Sequence, residues 1–416
     1  MKKLRLFFIF LFINLSFAQK NVEISSFSSL SCIVVRPKDY LSLSTETIKT
    51  NIEKIIKNVA NKNFNSVAFK INENGFVVYK STFAPQLKLE KKQIPQFDII
   101  SFAYNEAKKY NIGFFVVFEV LKSTSGLNSK WYCRTKKEIY QPYYLCCGNL
   151  ETQTYVRKLL EEFLMSYSVD GILLTELNYP NKNTSYDEIS LDRFYTRGNP
   201  RLLEYEDFQR EQLNKLVGDC YSLIKSLNEK IMVGVLTEEV YKDSFTLSGV
   251  YYEKFQDPLL WLERNFCDFV VVKIGKTNIN DIFKFYPKQK VAFYLESKNL
   301  TSFLKNSKDS FGFFCEYDLG LSSLTTKFTF PNVELNNKII LGRILDEKAQ
   351  PLQDAWITLN STFKKKLFTF SSSDGFFSFS GLNSEVFEIK VEYPYCKEVF
   401  VSTESEKNIV LLEPIV

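Results

Sequence analysis

At 416 residues the chain has the length of two or three domains, and 45% apolar with 24% charged residues is a globular composition with ample material for a core. It contains no histidine, which removes Ser-His-Asp and Cys-His catalysis, imidazole bases and His-ligated metals, so acid–base work falls to Asp, Glu, Lys, Tyr or Cys. The net charge of +5 owes much to Lys2, Lys3 and Arg5, and with no basic stripe or zinc spacing a nucleic-acid partner has no support.

Residues 1–18 read as a secretory signal peptide. Those three basic residues form its positive end, 6–15 is an apolar stretch too short to span a bilayer, and Ser16-Phe17-Ala18 fits a small-x-small cleavage site. The expectation is an exported protein, periplasmic or extracellular, with no membrane span after cleavage; an uncleaved anchor is the alternative. Export permits disulfides among the eight cysteines. Cys133, Cys146 and Cys147 fall in one loop-like stretch and Cys32 and Cys315 on strands expected to be neighbours, while Cys220 and Cys267 read as helix-face core residues. Buried thiols are the other reading. Cys146-Cys147 alone is not a zinc motif, and no metal or cofactor is expected.

Between residues 30 and 320 one unit recurs: a short apolar run, then an amphipathic helical stretch. The runs are 30–36, 66–71, 112–120, 171–177, 231–237, 269–274, 291–296 and 311–317. Nearly continuous apolar runs suit strands of a parallel sheet, buried on both faces. Helices are predicted over 45–61 (Ile48, Ile52, Ile55, Ile56 and Val59 on one stripe), 152–167 and 207–227. Eight such repeats give an α/β fold, a (β/α)8 TIM barrel over 19–320, with the eighth helix missing or very short. A doubly wound sheet is less consistent, since no Gly-rich phosphate turn follows the first strand. A polar linker is expected over 321–336. Close-spaced alternating strands then predict an all-β sandwich over 337–416, with a hairpin turn at Asp374-Gly375.

Barrel enzymes carry their chemistry at the C-terminal strand ends. Here those ends present Arg36, Lys70 with Asn72, Glu119, Thr175-Glu176, Thr237-Glu238-Glu239, Lys273, Glu296, and Glu316 with Asp318. Strand ends border solvent and are often polar, but a carboxylate abutting five of eight apolar runs exceeds that expectation. Without histidine, a pair of carboxyl groups can cleave a glycosidic bond, one as acid and one as base or nucleophile. Glu176 and Glu296 are the catalytic candidates, although strand alternation after Thr175 directs Glu176 away from the pocket. Arg36, Lys70, Asn72, Glu119, Glu238, Lys273, Tyr294 and Glu316 are candidate substrate-binding residues. Trp131 and Tyr179, together with Tyr132, Tyr143 and Tyr144, are candidate stacking surfaces for sugar rings.

Several ordered motifs resemble the glycosyl-hydrolase-like family 10 barrels, which are bacterial exported proteins. They are Phe64-Asn65-Ser66-Val67, Asn74-Gly75, Tyr79-Lys80-Ser81, Val169-Asp170-Gly171-Ile172 with Tyr179-Pro180, Tyr186-Asp187-Glu188-Ile189-Ser190-Leu191, Arg210-Glu211-Gln212-Leu213, Trp261-Leu262-Glu263 and Asp268-Phe269-Val270. The resemblance implies a polysaccharide or cell-wall glycan as partner. It also exposes departures. The position where the family carries an aspartate is Thr175, the second strand ends Lys70-Ile71-Asn72 where the family has Gln-Val-Arg, and Val272-Lys273-Ile274-Gly275 and Cys146-Cys147-Gly148 replace two further family motifs. The last segment is similar to carboxypeptidase regulatory-like (transthyretin-like) sandwiches through Gly342-Arg343-Ile344-Leu345-Asp346, Gln350-Pro351-Leu352-Gln353-Asp354-Ala355, Ser373-Asp374-Gly375-Phe376-Phe377 and Phe379-Ser380-Gly381-Leu382. Two functions follow: a glycoside hydrolase with a diverged site, or a catalytically inactive glycan-binding or cell-envelope scaffold protein.

Overall fold

The computed structural model describes residues 29–137, 139–238, 249–274, 279–306, 310–324, 328–331, 338–361, 366–382, 387–394, 396, 398–402 and 410–411. The signal-peptide reading at 1–18, and the positions of Glu239 and Gly275, lie outside them.

Eight parallel strands close into a barrel: β1 (Leu30–Val35), β2 (Ser66–Lys70), β3 (Gly113–Glu119), β4 (Gly171–Thr175), β5 (Met232–Thr237), β6 (Phe269–Lys273), β7 (Val291–Leu295) and β8 (Gly312–Glu316). Each strand pairs with its neighbours in sequence, and β8 closes on β1 with Leu30 opposite Gly312. The apolar runs locate the strands because each strand has two buried faces. One set of side chains fills the interior, among them Cys32, Ala68, Phe115, Leu173, Met232, Phe269 and Phe314, and the alternate set packs under the helices. Gly171 and Gly234 make room for two of the interior rings: a Cβ there would lie 2.0 Å from Phe115 and 2.4 Å from Phe269.

The main covering helices are α1 (Thr45–Asn61), α2 (Ile99–Lys109), α3 (Leu150–Ser166), α4 (Glu188–Tyr195) and α5 (Tyr205–Leu227). Ser44, Asp98, Asn149 and Asp187 cap the first four, each accepting a backbone N–H within the first turn. Ile48, Ile52, Ile55, Ile56 and Val59 of α1 are all buried, as their spacing requires. Cys220 is buried on α5, but Cys267 sits in the loop before β6 and not on a helix. Cys32 faces the interior while Cys315 joins the outer layer, so adjacent strands do not make them a pair, and all eight cysteines are free thiols.

Of the stretch expected to be a polar linker, the described residues pack across the barrel floor. The Leu324 N–H donates to the Lys62 carbonyl at 3.0 Å, Ser29 N–H to Thr329 O at 3.1 Å, and the Phe330 ring enters the interior 6.1 Å from Phe115. Phe330→Ala should therefore open a cavity at the floor and destabilise the barrel by about 2–4 kcal/mol. Urea denaturation checks this, and a loss below about 0.5 kcal/mol would show that the plug contributes little.

The C-terminal segment has a three-stranded sheet and a four-stranded sheet enclosing a second core of Ile340, Ile357, Phe377 and Ile389 among others. Its strands are β9 (Lys338–Leu345), β10 (Trp356–Ser361), β11 (Lys366–Phe370), β12 (Phe376–Leu382), β13 (Phe387–Glu392), β14 (Val399–Ser402) and β15 (Val410–Leu411), in the orders β12-β9-β15 and β11-β10-β13-β14. This sandwich docks on α3, α4 and α5 through buried polar contacts. Arg193 holds Asp354, Arg157 pairs with Asp374, Lys215 donates to Ser372 at 3.1 Å, and Ser378 donates to Asp219 at 2.6 Å.

Candidate active site

The interior alternation, continued to the C-terminal strand ends, carries Arg36, Lys70, Glu119, Thr175, Glu238, Lys273, Glu296 and Glu316 on the inward register. The mouth therefore gathers charge from seven of the eight strands, and the charges pair with one another in groups. Lys70 bridges Glu119 at 2.6 Å and Glu73 at 3.1 Å. Burial opposes the Lys70 charge, but the two carboxylates outweigh it and raise its pKa. Glu119, 5% exposed, also accepts the Asn74 N–H at 2.7 Å. Arg36 reaches Glu316 at 3.1 Å, whose other oxygen accepts the Tyr294 hydroxyl at 3.3 Å. Lys273 stands 3.9 Å from Glu238.

Glu176 departs from the alternation. Its φ of +55° is left-handed, a conformation costing a non-glycine residue about 1–2 kcal/mol. This break in the pleat at the end of β4 turns the side chain toward the mouth, where Oε2 accepts the Tyr144 hydroxyl at 3.4 Å and Oε1 lies 3.9 Å from Lys122. Burial raises the Glu176 pKa above the ordinary carboxylate value. Lys122 and Lys70 pull it down, while Glu119 and Glu238 push it up. Burial and the neighbouring Glu176 and Glu238 likewise raise the Tyr144 pKa, which keeps its hydroxyl protonated. Three acidic groups at the ends of β3, β4 and β5 thus share one field, and burial raises the pKa of Glu176.

Gln256, 1% exposed, fixes two of these strand ends relative to one another. Its Oε1 accepts the Glu238 N–H at 2.9 Å and its Nε2 donates to Leu177 O at 2.9 Å. Neither Gln256 nor Lys122 is legible as a site residue in the sequence, because both lie in loops with no periodic signal. Tyr144 is recognisable there only as a ring; its part in the site is its hydroxyl.

Other candidates sit elsewhere than expected. Glu296 follows the end of β7, its side chain is 60% exposed and paired with Lys298, and the carboxylates acting on Glu176 are Glu119 and Glu238 instead. Lys298 and then Lys273 hold its pKa below the usual carboxylate value. Asn72 is buried at 1%: its amide donates to Glu119 O at 2.7 Å and accepts Glu119 N–H at 2.8 Å, extending the β2–β3 ladder instead of facing a ligand. Tyr179 is a core residue packed edge-on against Phe255 at 5.3 Å, and Tyr132 is also buried. The Trp131 indole turns to α3, donating to Glu151 at 2.7 Å and lying 5.3 Å from Tyr155. Tyr143, by contrast, is 57% exposed. Among the described residues no group of three Cys, Asp or Glu side chains is arranged to hold a metal, and no helix is long and apolar enough to cross a membrane.

Residues 34–299 match the glycosyl hydrolase-like 10 family. The chain belongs to that family. A curated relative is the glycosyl hydrolase YngK of Bacillus subtilis (strain 168), 21% identical over 254 residues, which are 56% of this chain and 50% of the relative; the chain thus spans about half the length of that protein. Among solved structures, the PgaB (BpsB) glycoside hydrolase domain from Bordetella bronchiseptica superposes with a TM-score of 0.55 at 9% identity, covering 70% of this chain and 94% of that domain. At that identity the likeness is one of fold. In this glycosyl hydrolase-like 10 chain Thr175 is inward and 6% exposed, its hydroxyl donating to Phe118 O at 3.4 Å.

The raised Glu176 pKa has a consequence for stability. Between its unfolded and folded values the native state holds more protons, so stability falls as pH rises through that window, and the full penalty applies above it. Glu176→Gln should raise Tm by about 2 °C at pH 8 and leave it unchanged near pH 3, where wild type is also neutral. Scanning calorimetry at both pH values tests this, and a lower Tm at pH 8 would contradict it.

Proposed function

We propose that this protein is an exported glycoside hydrolase acting on a polysaccharide or cell-wall glycan, with Glu176 as general acid and Glu238 as the second catalytic carboxyl group. The observation that carries this reading is the left-handed turn at Glu176, which gives a carboxyl group with a raised pKa a place beside Tyr144 and in the field of Glu238. Two carboxyl groups whose environments differ suit an acid and a base. The proton of Glu176 passes to the glycosidic oxygen as its bond to the anomeric carbon breaks. The Glu238 carboxylate faces the positive charge that develops there, and water supplies the new hydroxyl and the proton that restores Glu176. Glu176 in this scheme takes over from the family position occupied by Thr175. Arg36, Lys70, Lys273, Tyr294 and Glu316 are read as the polar wall that receives sugar hydroxyls. We read the sandwich as a carboxypeptidase regulatory-like accessory module, on its turn motifs around Pro351 and Asp374-Gly375, with no peptidase chemistry.

A second reading, a glycan-binding protein without hydrolysis, is favoured by Thr175 and by the ion pairs that engage Glu119 and Glu316. Reducing-sugar release from a panel of polysaccharides and peptidoglycan separates the two. Release by the mature chain that disappears in Glu176→Gln and Glu238→Gln is the expected result. No release, with retention on one glycan by all three proteins, supports the binding reading, and release that survives Glu176→Gln removes that residue as the acid.

A further inference from the structure

The four-stranded sheet of the sandwich has one face in its core; the other packs Trp356 and Phe370 against Leu150 and Arg193 of the barrel and leaves its remaining part open. Register places Thr358 opposite Phe368 on one side and Lys390 on the other, and Lys390 opposite Phe400. These four side chains share the outer face, because Ile357, Leu359, Ile389 and Val391 between them belong to the core. Phe368 is 38% and Phe400 54% exposed. Three strand spacings separate them, about 14 Å on a flat surface. At the Phe368 end this face runs into a cavity of about 480 Å³ between the sheet and the loop after α4.

The chemistry of that cavity is mixed and internally balanced. Arg201 lies 5.6 Å from the centre of the Trp356 ring and 5.7 Å from that of Phe368, and it is ion-paired with Glu211. Arg197 donates to the Tyr393 hydroxyl at 3.2 Å and stands 4.0 Å from Asp354. Glu392 and Glu398 share Lys390 at 3.1 and 2.8 Å. With Arg193 on Asp354, four cations meet four carboxylates among the described residues, so these side chains offer both donors and acceptors with their charges paired. Vicinal sugar hydroxyls donate and accept together, and the C–H faces of a pyranose match exposed aromatic rings.

We infer that this outer face and the cavity at its edge form a binding site for an uncharged glycan chain, separate from the barrel mouth. The site lies where the sandwich is fixed to the barrel by the Arg193–Asp354 contact, so a bound chain is held at a set position relative to the barrel. It does not depend on the hydrolytic assignment.

The test uses the full mature chain carrying Glu176→Gln, titrated calorimetrically with cellohexaose, chitohexaose and maltohexaose, and with polygalacturonate as the charged comparison. Phe368→Ser/Phe400→Ser is made in the same background. The expected result is binding of at least one neutral hexasaccharide that weakens 10-fold or more, or loses one site per chain, in the double variant at unchanged Tm. Glu392→Gln should also weaken it by exchanging one of its two acceptor oxygens for an NH2 donor. Binding of none of the three, equal binding by both proteins, binding of polygalacturonate alone, or a dimer in sedimentation that the double variant abolishes would each overturn the inference. The background is already deprived of the proposed acid, so a failure of the hydrolase reading leaves this outcome unaffected.

Discussion

Asp354→Ala should destabilise the protein by about 3–5 kcal/mol, the cost of leaving a buried charge without its partner. The Asp354 side chain is fully buried and that of Arg193 is 4% exposed. Arg193 Nε donates to both carboxylate oxygens at 3.0 Å and Nη2 to Oδ1 at 2.6 Å. Nη1 is also engaged, by the Gly148 carbonyl and by Gln212 Oε1 at 2.8 Å, and the guanidinium lies 5.3 Å from the centre of the Phe370 ring. Removing the carboxylate leaves a desolvated guanidinium that cannot lose its proton. Because Asp354 belongs to the sandwich and Arg193 to α4, the damage reaches both parts, and their unfolding should separate into two transitions. The double variant Arg193→Met/Asp354→Leu should recover much of the loss, since an apolar pair removes the unpaired charge. Guanidinium denaturation followed by fluorescence checks both, and a loss under about 1 kcal/mol for Asp354→Ala would show that water reaches Arg193.

The same contact explains what was and was not legible in the sequence. Eight apolar runs and the alternating C-terminal strands identify the fold, since strand burial is a local property of which residues follow one another. The stripe on α1 likewise gives its span of Thr45–Asn61 without error. The docking of sandwich on barrel is not local. Arg157, Arg193 and Lys215 look like ordinary polar positions of helices, and only the approach of Asp374, Asp354 and Ser372 from about 160 residues or more away makes them interior groups. The mouth behaves similarly. Strand alternation places Glu119, Glu238 and Glu316 inward, but Glu176 turns inward against it through a backbone angle that the residue type does not announce. Glu296 keeps the inward register and still faces solvent, because Lys298 holds it at the rim. Tyr179 shows the limit of reading aromatics near a strand end: its ring is filler between β4 and Phe255.

If Glu176 is the acid, Glu176→Gln should lower glycan turnover by about 10²–10⁴-fold, the usual contribution of a positioned proton donor. Binding should persist, because the amide keeps the shape and still accepts from Tyr144. The pH profile carries more information than the loss itself. Activity requires protonated Glu176, so it should fall on the alkaline side as pH rises through the raised pKa. Lys122, 3.9 Å away, pulls that pKa down, and Lys122→Met should therefore move the alkaline limb upward. Glu119 pushes it up but is held in its own bridge to Lys70, so Lys70→Met should also move the limb upward by freeing that negative charge of its cation. Shifts in the same direction for both lysine variants, with no limb movement in a distant control such as Lys284→Met, would identify Glu176 as the titrating group. An alkaline limb that stays fixed in both would assign the proton to another residue, whatever the loss in Glu176→Gln.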